Sequence, residues 1–207
     1  SVLFLQGGAS QQFAMIPYNF LIKEKTGNYV VTGSWAKKAY KEAGIIGKTY
    51  VSASSEETSY DIIPSSFDIS SDAAYLHVTS NNTIFGTQFK KFPETKSVPL
   101  IVDMSSDIFS RPLNINQFSM IYAGAQKNAG PAGVTLVILK KSMLEKMNSP
   151  LNTMWNYETH VKKESMFNTP PVFSIYIVSL VVKWLKDKGG LAEVEKFNEE
   201  KAKLIYD

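Results

Sequence analysis

The 207-residue sequence predicts an α/β fold in which helices flank a mostly parallel, mixed sheet. Short apolar runs alternate with longer helical patterns along the chain, as strands joined by crossover helices do. Two of these runs, Val98–Asp103 and Met120–Ala123, lead into functional residues, and ligands of parallel sheets bind at the carboxyl ends of strands. A third, Val134–Leu139, follows the second after a connection too short for a crossover, so it is expected to lie antiparallel.

In chain order, Val2–Leu5 reads as a strand and Gln11–Ile22 as a helix, with the small residues Gly7, Gly8, Ala9 and Ser10 between them. Tyr29–Thr32 is expected to be a strand, and Ser34–Ala43 a helix stopped by Gly44. Tyr50–Ala53 and Ala74–Thr79 continue the strands, separated by a serine- and acid-rich stretch, Ser54–Asp72, that reads as loop. Leu100–Asp103, Ile121–Ala123 and Val134–Leu139 follow. The prolines of Asn168-Thr169-Pro170-Pro171 fix a first helical turn, opening a helix over Ser174–Lys186. Gly189-Gly190 breaks it before a last helix, Leu191–Tyr206. Ile175–Val182 is the longest apolar stretch, well short of the ~20 residues a membrane span needs, and reads as a buried helix.

The composition fits one domain with a substantial core, at 44% hydrophobic and 20% charged residues. A net charge of +3 from scattered lysines argues against a nucleic-acid partner. There is no cysteine, which removes disulfides and thiolate metal sites and fits a cytoplasmic protein. His77 and His160 lack a metal-site spacing and read as packed or solvated residues. Ser1–Leu5 lacks the basic start of a secretory signal.

Chemistry centres on Ser119–Gly133, where a loop with four alanines and three glycines in fifteen residues surrounds Lys127. Small residues let main chain approach something flat or anionic, and a partly desolvated lysine can form an imine. Asp103, one crossover earlier, ends a strand. An acid and an imine-forming lysine at neighbouring strand ends match the needs of pyridoxal phosphate, a protonated ring nitrogen and a held aldehyde. From the residues alone, a solvated turn lysine and a helix-capping or turn aspartate remain open. Gly7–Ser10 can cradle a phosphate at a helix start or simply make a tight turn with a serine cap. Trp35 can anchor a core or stack on a flat ring.

Six strings, FLQGGASQQFAMIPYNFL, GSWAKKA, HVTSNNTIFGTQF, VDMSSDIFSRP, YAGAQKNAGPAGVTLVI and FNTPPVFSIY, together resemble the phosphoserine aminotransferase family of fold-type I pyridoxal-phosphate enzymes. That resemblance implies transamination between glutamate and 3-phosphohydroxypyruvate, in serine biosynthesis and, as a second route, pyridoxine biosynthesis. It implies Lys127 as the cofactor lysine and base, and Asp103 on the ring nitrogen. Ala9, Ser10 and Gln126 are implied at the cofactor phosphate, Trp35 stacked on the ring, and Thr83 beside the phenolic oxygen. Asn168 and Thr169 are implied at the phosphate of the neighbouring subunit's cofactor, which makes the protein a homodimer with shared sites.

Members of that family are longer, with an N-terminal segment and a C-terminal small domain outside these residues. Residues 1–190 are accordingly expected to form the cofactor-binding large domain, and 191–207 to begin a helix leading to the small domain. The family's substrate-binding histidine and arginines fall in the outer segments. Here Arg111 stands alone against twenty-one lysines and reads as a structural ion pair. Poor turnover by these residues alone is therefore expected. Two alternatives are a cofactor-binding dimeric fragment without turnover and another class-V enzyme such as a desulfurase, whose nucleophilic cysteine is missing here.

Overall fold

The computed structural model describes residues 1–149 and 151–206. Strand β1 (Val2–Leu5) leads into helix α1 (Gly8–Phe20), followed by β2 (Thr26–Val31), α2 (Ser34–Ile46), β3 (Thr49–Ser54) and β4 (Ala73–Thr79). A small hairpin, β5 (Asn81–Asn82) and β6 (Thr87–Gln88), precedes β7 (Leu100–Asp103), β8 (Met120–Gly124) and β9 (Thr135–Leu139). Helices α3 (Tyr157–Lys162), α4 (Val172–Asp187) and α5 (Leu191–Tyr206) complete the described chain, α5 with the expected bounds, and Asp207, the end of the expected 191–207 lead to a small domain, lies outside it.

Seven strands form one sheet in the order β1-β9-β8-β7-β4-β2-β3. The five from β8 to β3 pair in parallel, whereas β9 runs antiparallel to both β8 and β1, as its short connection requires. Alternate residues separate two cores. Tyr29, Ile101, Met120, Tyr122 and Val137 pack with Phe13, Ile16 and Phe20 of α1 and with Ala39 and Ala43 of α2. Val30, Leu76, Val102, Ile121 and Leu136 face the other way, against Phe89, Phe118 and Val178 of α4.

Several boundaries differ from expectation for identifiable reasons. Helix α1 starts at Gly8 rather than Gln11, because Gly7 and Gly8 take positive φ (87° and 66°) and turn the chain within two residues. Gly44 does not stop α2. The helix runs to Ile46, and the Gly47 amide closes it on the Ala43 carbonyl. Strand β2 begins three residues before Tyr29, through a polar start that looks like a turn in sequence. Thr26 and Asn28 are fully buried there because Thr26 Oγ1 donates to Asp72 (2.8 Å), and the Asn28 amide bonds to Ser52 and Ser70. Ser54 closes β3, and the rest of the stretch to Asp72 is irregular, as read, apart from one 3₁₀ turn at Glu56–Thr58. The β5–β6 hairpin and α3 carry no sequence expectation.

Candidate active site

Asp103 is the last residue of β7, in register with Thr79 of β4 on one side and Tyr122 of β8 on the other. It is 4% exposed, and burial pushes its pKa up. The chain turns immediately beyond it, so that the Ser105 amide and hydroxyl both donate to Asp103 Oδ1, at 2.9 and 2.6 Å. Oδ2 has no hydrogen bond among the described residues. Asp103 is thus a turn residue and a cleft residue at once. Ser105 Oγ also accepts from the Gly124 amide (3.0 Å), which ties the end of β7 to the loop that carries Lys127.

That loop folds on itself through the Ala129 and Gly130 amides, both donated to the Ala125 carbonyl. Lys127 projects from it, exposed rather than sunk in the apolar setting that an imine-forming lysine suggests, and donates to Thr83 Oγ1 at 2.8 Å. Its Nζ stands 5.5 Å from the centre of the Trp35 ring. Thr83 is at the tip of the β5–β6 hairpin, which the Asn82 amide fastens to Thr32 and Thr87 (both 3.1 Å). Trp35 opens α2. Gly33 lets these two elements meet, since a Cβ there would stand 2.8 Å from Asn82 Oδ1. Beneath the hairpin Asp107, its pKa also raised by burial, accepts from Ser80 and from Gln88 (3.0 Å).

A cleft of about 120 Å³ joins Ala9, Ser10, Trp35, Asp103, Gln126 and Lys127, with Thr83 bonded to Lys127 at its edge. Asn168 and Thr169 are elsewhere: Asn168 lines a separate pocket with Gln6 and His160, and the Thr169 carbonyl accepts from Gln6 Nε2 (3.0 Å). Gly8, read with Gly7–Ser10 as a possible phosphate cradle, also lines the Lys127 cleft, as do Thr79, Asn81, Ser105 and Ser106, which carry no sequence expectation. Only Ser105 had a signal, its place two residues after a strand-end aspartate, where a side chain bonds back to the turn. Arg111 makes no ion pair among the described residues. Its guanidinium donates to the Phe89 carbonyl and lies 6.0 Å from the Phe92 ring, a correction to the expected ion pair. His160 is packed, with Nε2 2.9 Å from the Met154 carbonyl.

The cleft has distinct ends. At one, the first-turn amides of α1 have neither a helical acceptor nor a capping side chain, a setting that attracts an anion. At the other is the buried carboxylate of Asp103. The cleft is also lined by a flat indole, a primary amine and Thr79, whose Oγ1 is a buried hydroxyl without a partner among the described residues. The arrangement fits a flat aromatic ring bearing a phosphate at one side, a basic nitrogen opposite it and a carbonyl within reach of the amine.

Residues 1–207 match the family described as Aminotransferase class-V. The phosphoserine aminotransferase of Alkalihalobacillus alcalophilus is 58% identical over 208 residues, spanning 100% of this chain and 58% of that protein. The solved phosphoserine aminotransferase from Bacillus circulans subsp. alkalophilus matches with a TM-score of 0.98 at 57% identity, over 100% of this chain and 58% of that one. The PLP-bound phosphoserine aminotransferase from Trichomonas vaginalis matches with a TM-score of 0.88 at 37% identity, over 100% and 59%. The chain therefore spans under two thirds of the length of the relatives it matches.

Proposed function

The chain belongs to the class-V aminotransferase family and has its fold-type I architecture, and on that footing we propose that the whole protein is a pyridoxal-phosphate-dependent phosphoserine aminotransferase. It would exchange an amino group between glutamate and 3-phosphohydroxypyruvate, giving phosphoserine and 2-oxoglutarate, as a cytoplasmic homodimer in serine biosynthesis. Residues 1–190 serve as the cofactor-binding large domain, and α5 starts the connection to a small domain. The observation that carries the reading is one cleft with Lys127 and the buried Asp103 across it, beside the uncapped start of α1.

Pyridoxal phosphate, when bound, supplies an aldehyde for amines and a ring that accepts carbanion charge. The residues of this chain do the rest. Amides of Ala9 and Ser10 and the Gln126 side chain would hold the phosphate, Trp35 would support the ring face, and Thr83 would hold the phenolic oxygen. The buried carboxylate of Asp103 would keep a proton on the ring nitrogen, charge to charge. Lys127 Nζ would be the amine that holds the cofactor and the base that takes the proton from the substrate α-carbon. Asn168 and Thr169 would reach the phosphate of a second subunit, which accords with their distance from this chain's own cleft.

The test is borohydride reduction of the cofactor-loaded protein followed by peptide mapping. A pyridoxyl group on Lys127 is expected, and its loss in a folded Lys127→Ala variant. In the full-length enzyme Asp103→Asn should slow turnover by ~30- to 1,000-fold, the equivalent of ~2–4 kcal/mol. A label on another lysine, or an Asp103→Asn enzyme within twofold of the parent, overturns the assignment.

A further inference from the structure

The segment that leaves β7 carries a second carboxylate, Asp107, which takes no part in the reaction described above. It is 6% exposed, and a carboxylate that deep needs donors to meet it. Both of its oxygens are met, and both by the hairpin that bears Thr83. Ser80, the residue before β5, donates from Oγ to Asp107 Oδ1, and Gln88 in β6 donates from Nε2 to Oδ2 (3.0 Å). Neighbours on the same segment repeat the grip. Ser106 Oγ accepts from the Asn81 side-chain amide and donates to the Asn81 carbonyl, both at 3.0 Å, and the Arg111 guanidinium donates to the carbonyl of Phe89, the residue after β6. Thr83 itself is exposed at the tip, so its place is set by these arms and by Asn82, which is bonded to Thr32 and Thr87.

Resting on the reading of Lys127 and Thr83 as the residues at the cofactor's carbonyl side, we propose that Asp107 is a positioning residue for the reaction: by pinning both arms of the hairpin it fixes Thr83 against the Lys127 amine. The hydrogen bonds make a closed circuit around the cleft. Asp103 Oδ1 accepts from Ser105, whose Oγ accepts in turn from the Gly124 amide at the end of β8. The loop beyond β8 presents Lys127, which donates to Thr83 (2.8 Å), and the hairpin returns through Ser80 and Gln88 to Asp107. The stretch 103–107 therefore sets the spacing between the carboxylate assigned to the ring nitrogen and the amine and hydroxyl assigned to the opposite side of the ring. A flat ring cannot adjust to a wrong spacing, so the parts that hold its two sides need a common support.

The bonds matter here more than the charge. Ser80 Oγ is also 2.9 Å from the Asp103 carbonyl. In Asp107→Asn the new carbonyl can accept from Gln88 and the new amide can donate to Ser80 Oγ, whose own hydrogen then passes to the Asp103 carbonyl. Asp107→Ala leaves Ser80 and Gln88 with nothing between them and frees the return arm.

The test is trace acetylation of the cofactor-free, full-length protein with acetic anhydride, read at each lysine by mass spectrometry, with urea titrations alongside. In Asp107→Ala the Lys127 amine loses the acceptor that restrains it and should be labelled about fivefold faster, while lysines away from the hairpin keep the parent rate. Thr83→Val should do the same by removing the acceptor directly, and the double variant should match either single one, because both remove one contact. Asp107→Asn should stay within about twofold of the parent. Should Asp107→Ala fail to fold, Gln88→Met, at a half-buried site, opens the return arm and carries the same comparison. A residue that serves stability alone would lower the urea midpoint and leave the labelling of Lys127 in the folded protein unchanged. That result, or effects of Asp107→Ala and Thr83→Val that multiply in the double variant, overturns the proposal. Because no cofactor is present, this outcome is separate from that of the borohydride mapping, which judges the function.

Discussion

Burial decides the behaviour of His77 more than any partner does. Its pKa falls from an ordinary 6.5 to about 3 because the ring, enclosed by Tyr29 and Tyr122, cannot be hydrated when charged. A base with a lowered pKa in the folded chain lends stability above its unfolded pKa, and that stability drains away as pH falls. Across the window from roughly 6.5 down to about 3, His77 should give the cofactor-free chain a slope of about 1.4 kcal/mol per pH unit. Urea titrations at pH 4, 5, 6 and 7 on the parent and His77→Phe check this, and equal slopes would show that the ring is solvated. In the sequence, His77 is legible only as a residue with no metal-site spacing. Nothing local shows that it meets Tyr122, forty-five positions away. Asp103 and Lys127 were legible because each follows an apolar run, and the strand-end rule gives such positions a meaning without any knowledge of what packs around them.

Among the elements, the central strands β7 and β8 were read to within a residue, and the antiparallel turn of β9 followed from loop length. The errors occur where tertiary partners overrule local chemistry. Thr26-Gly27-Asn28 has the composition of a turn, yet it is strand because Asp72, Ser52 and Ser70 satisfy its polar groups from afar. The hairpin that carries Thr83 was missed for the same reason, being a polar cluster locally and held by Thr32 and Asp107 from other elements. Its contact with the start of α2 depends on the missing side chain of Gly33. Gly33→Ala should therefore push Asn82 and the hairpin outward, costing about 1–3 kcal/mol of stability and weakening cofactor binding as Thr83 moves away from Lys127. Here φ is 167°, an extended value open to any residue, so the effect is one of space alone. Paired urea melts and cofactor titrations would expose an error: an alanine variant matching the parent in both means that the hairpin has slack.

For the molecule as a whole, α4 presents Phe173, Tyr176, Leu180 and Trp184 along one exposed stripe, three of them more than half exposed. The stripe begins just after Asn168 and Thr169. A second copy seated there would bring those residues toward a neighbouring cleft, in keeping with the proposed dimer. Phe173→Asp with Tyr176→Asp should weaken self-association by at least tenfold and lower cofactor affinity with it. Sedimentation equilibrium on the parent and the double variant decides the matter, and unchanged association would place the interface elsewhere.

The sheet order has a consequence for how the protein is made. Among the described residues strand β1 pairs only with β9, although about 130 residues of translation separate them. A ribosome adding ~5–20 residues per second takes on the order of ten seconds over that interval. Throughout it β1 lacks β9, the strand it pairs with here, and α1, whose amides would hold the phosphate, follows directly from it. The anion-holding corner of the cleft is therefore made about 130 residues before the strand that steadies it, and is among the last parts to settle. During that wait the nascent chain has an open sheet edge, which is when a chaperone, or an unwanted neighbour, could occupy the place reserved for β9.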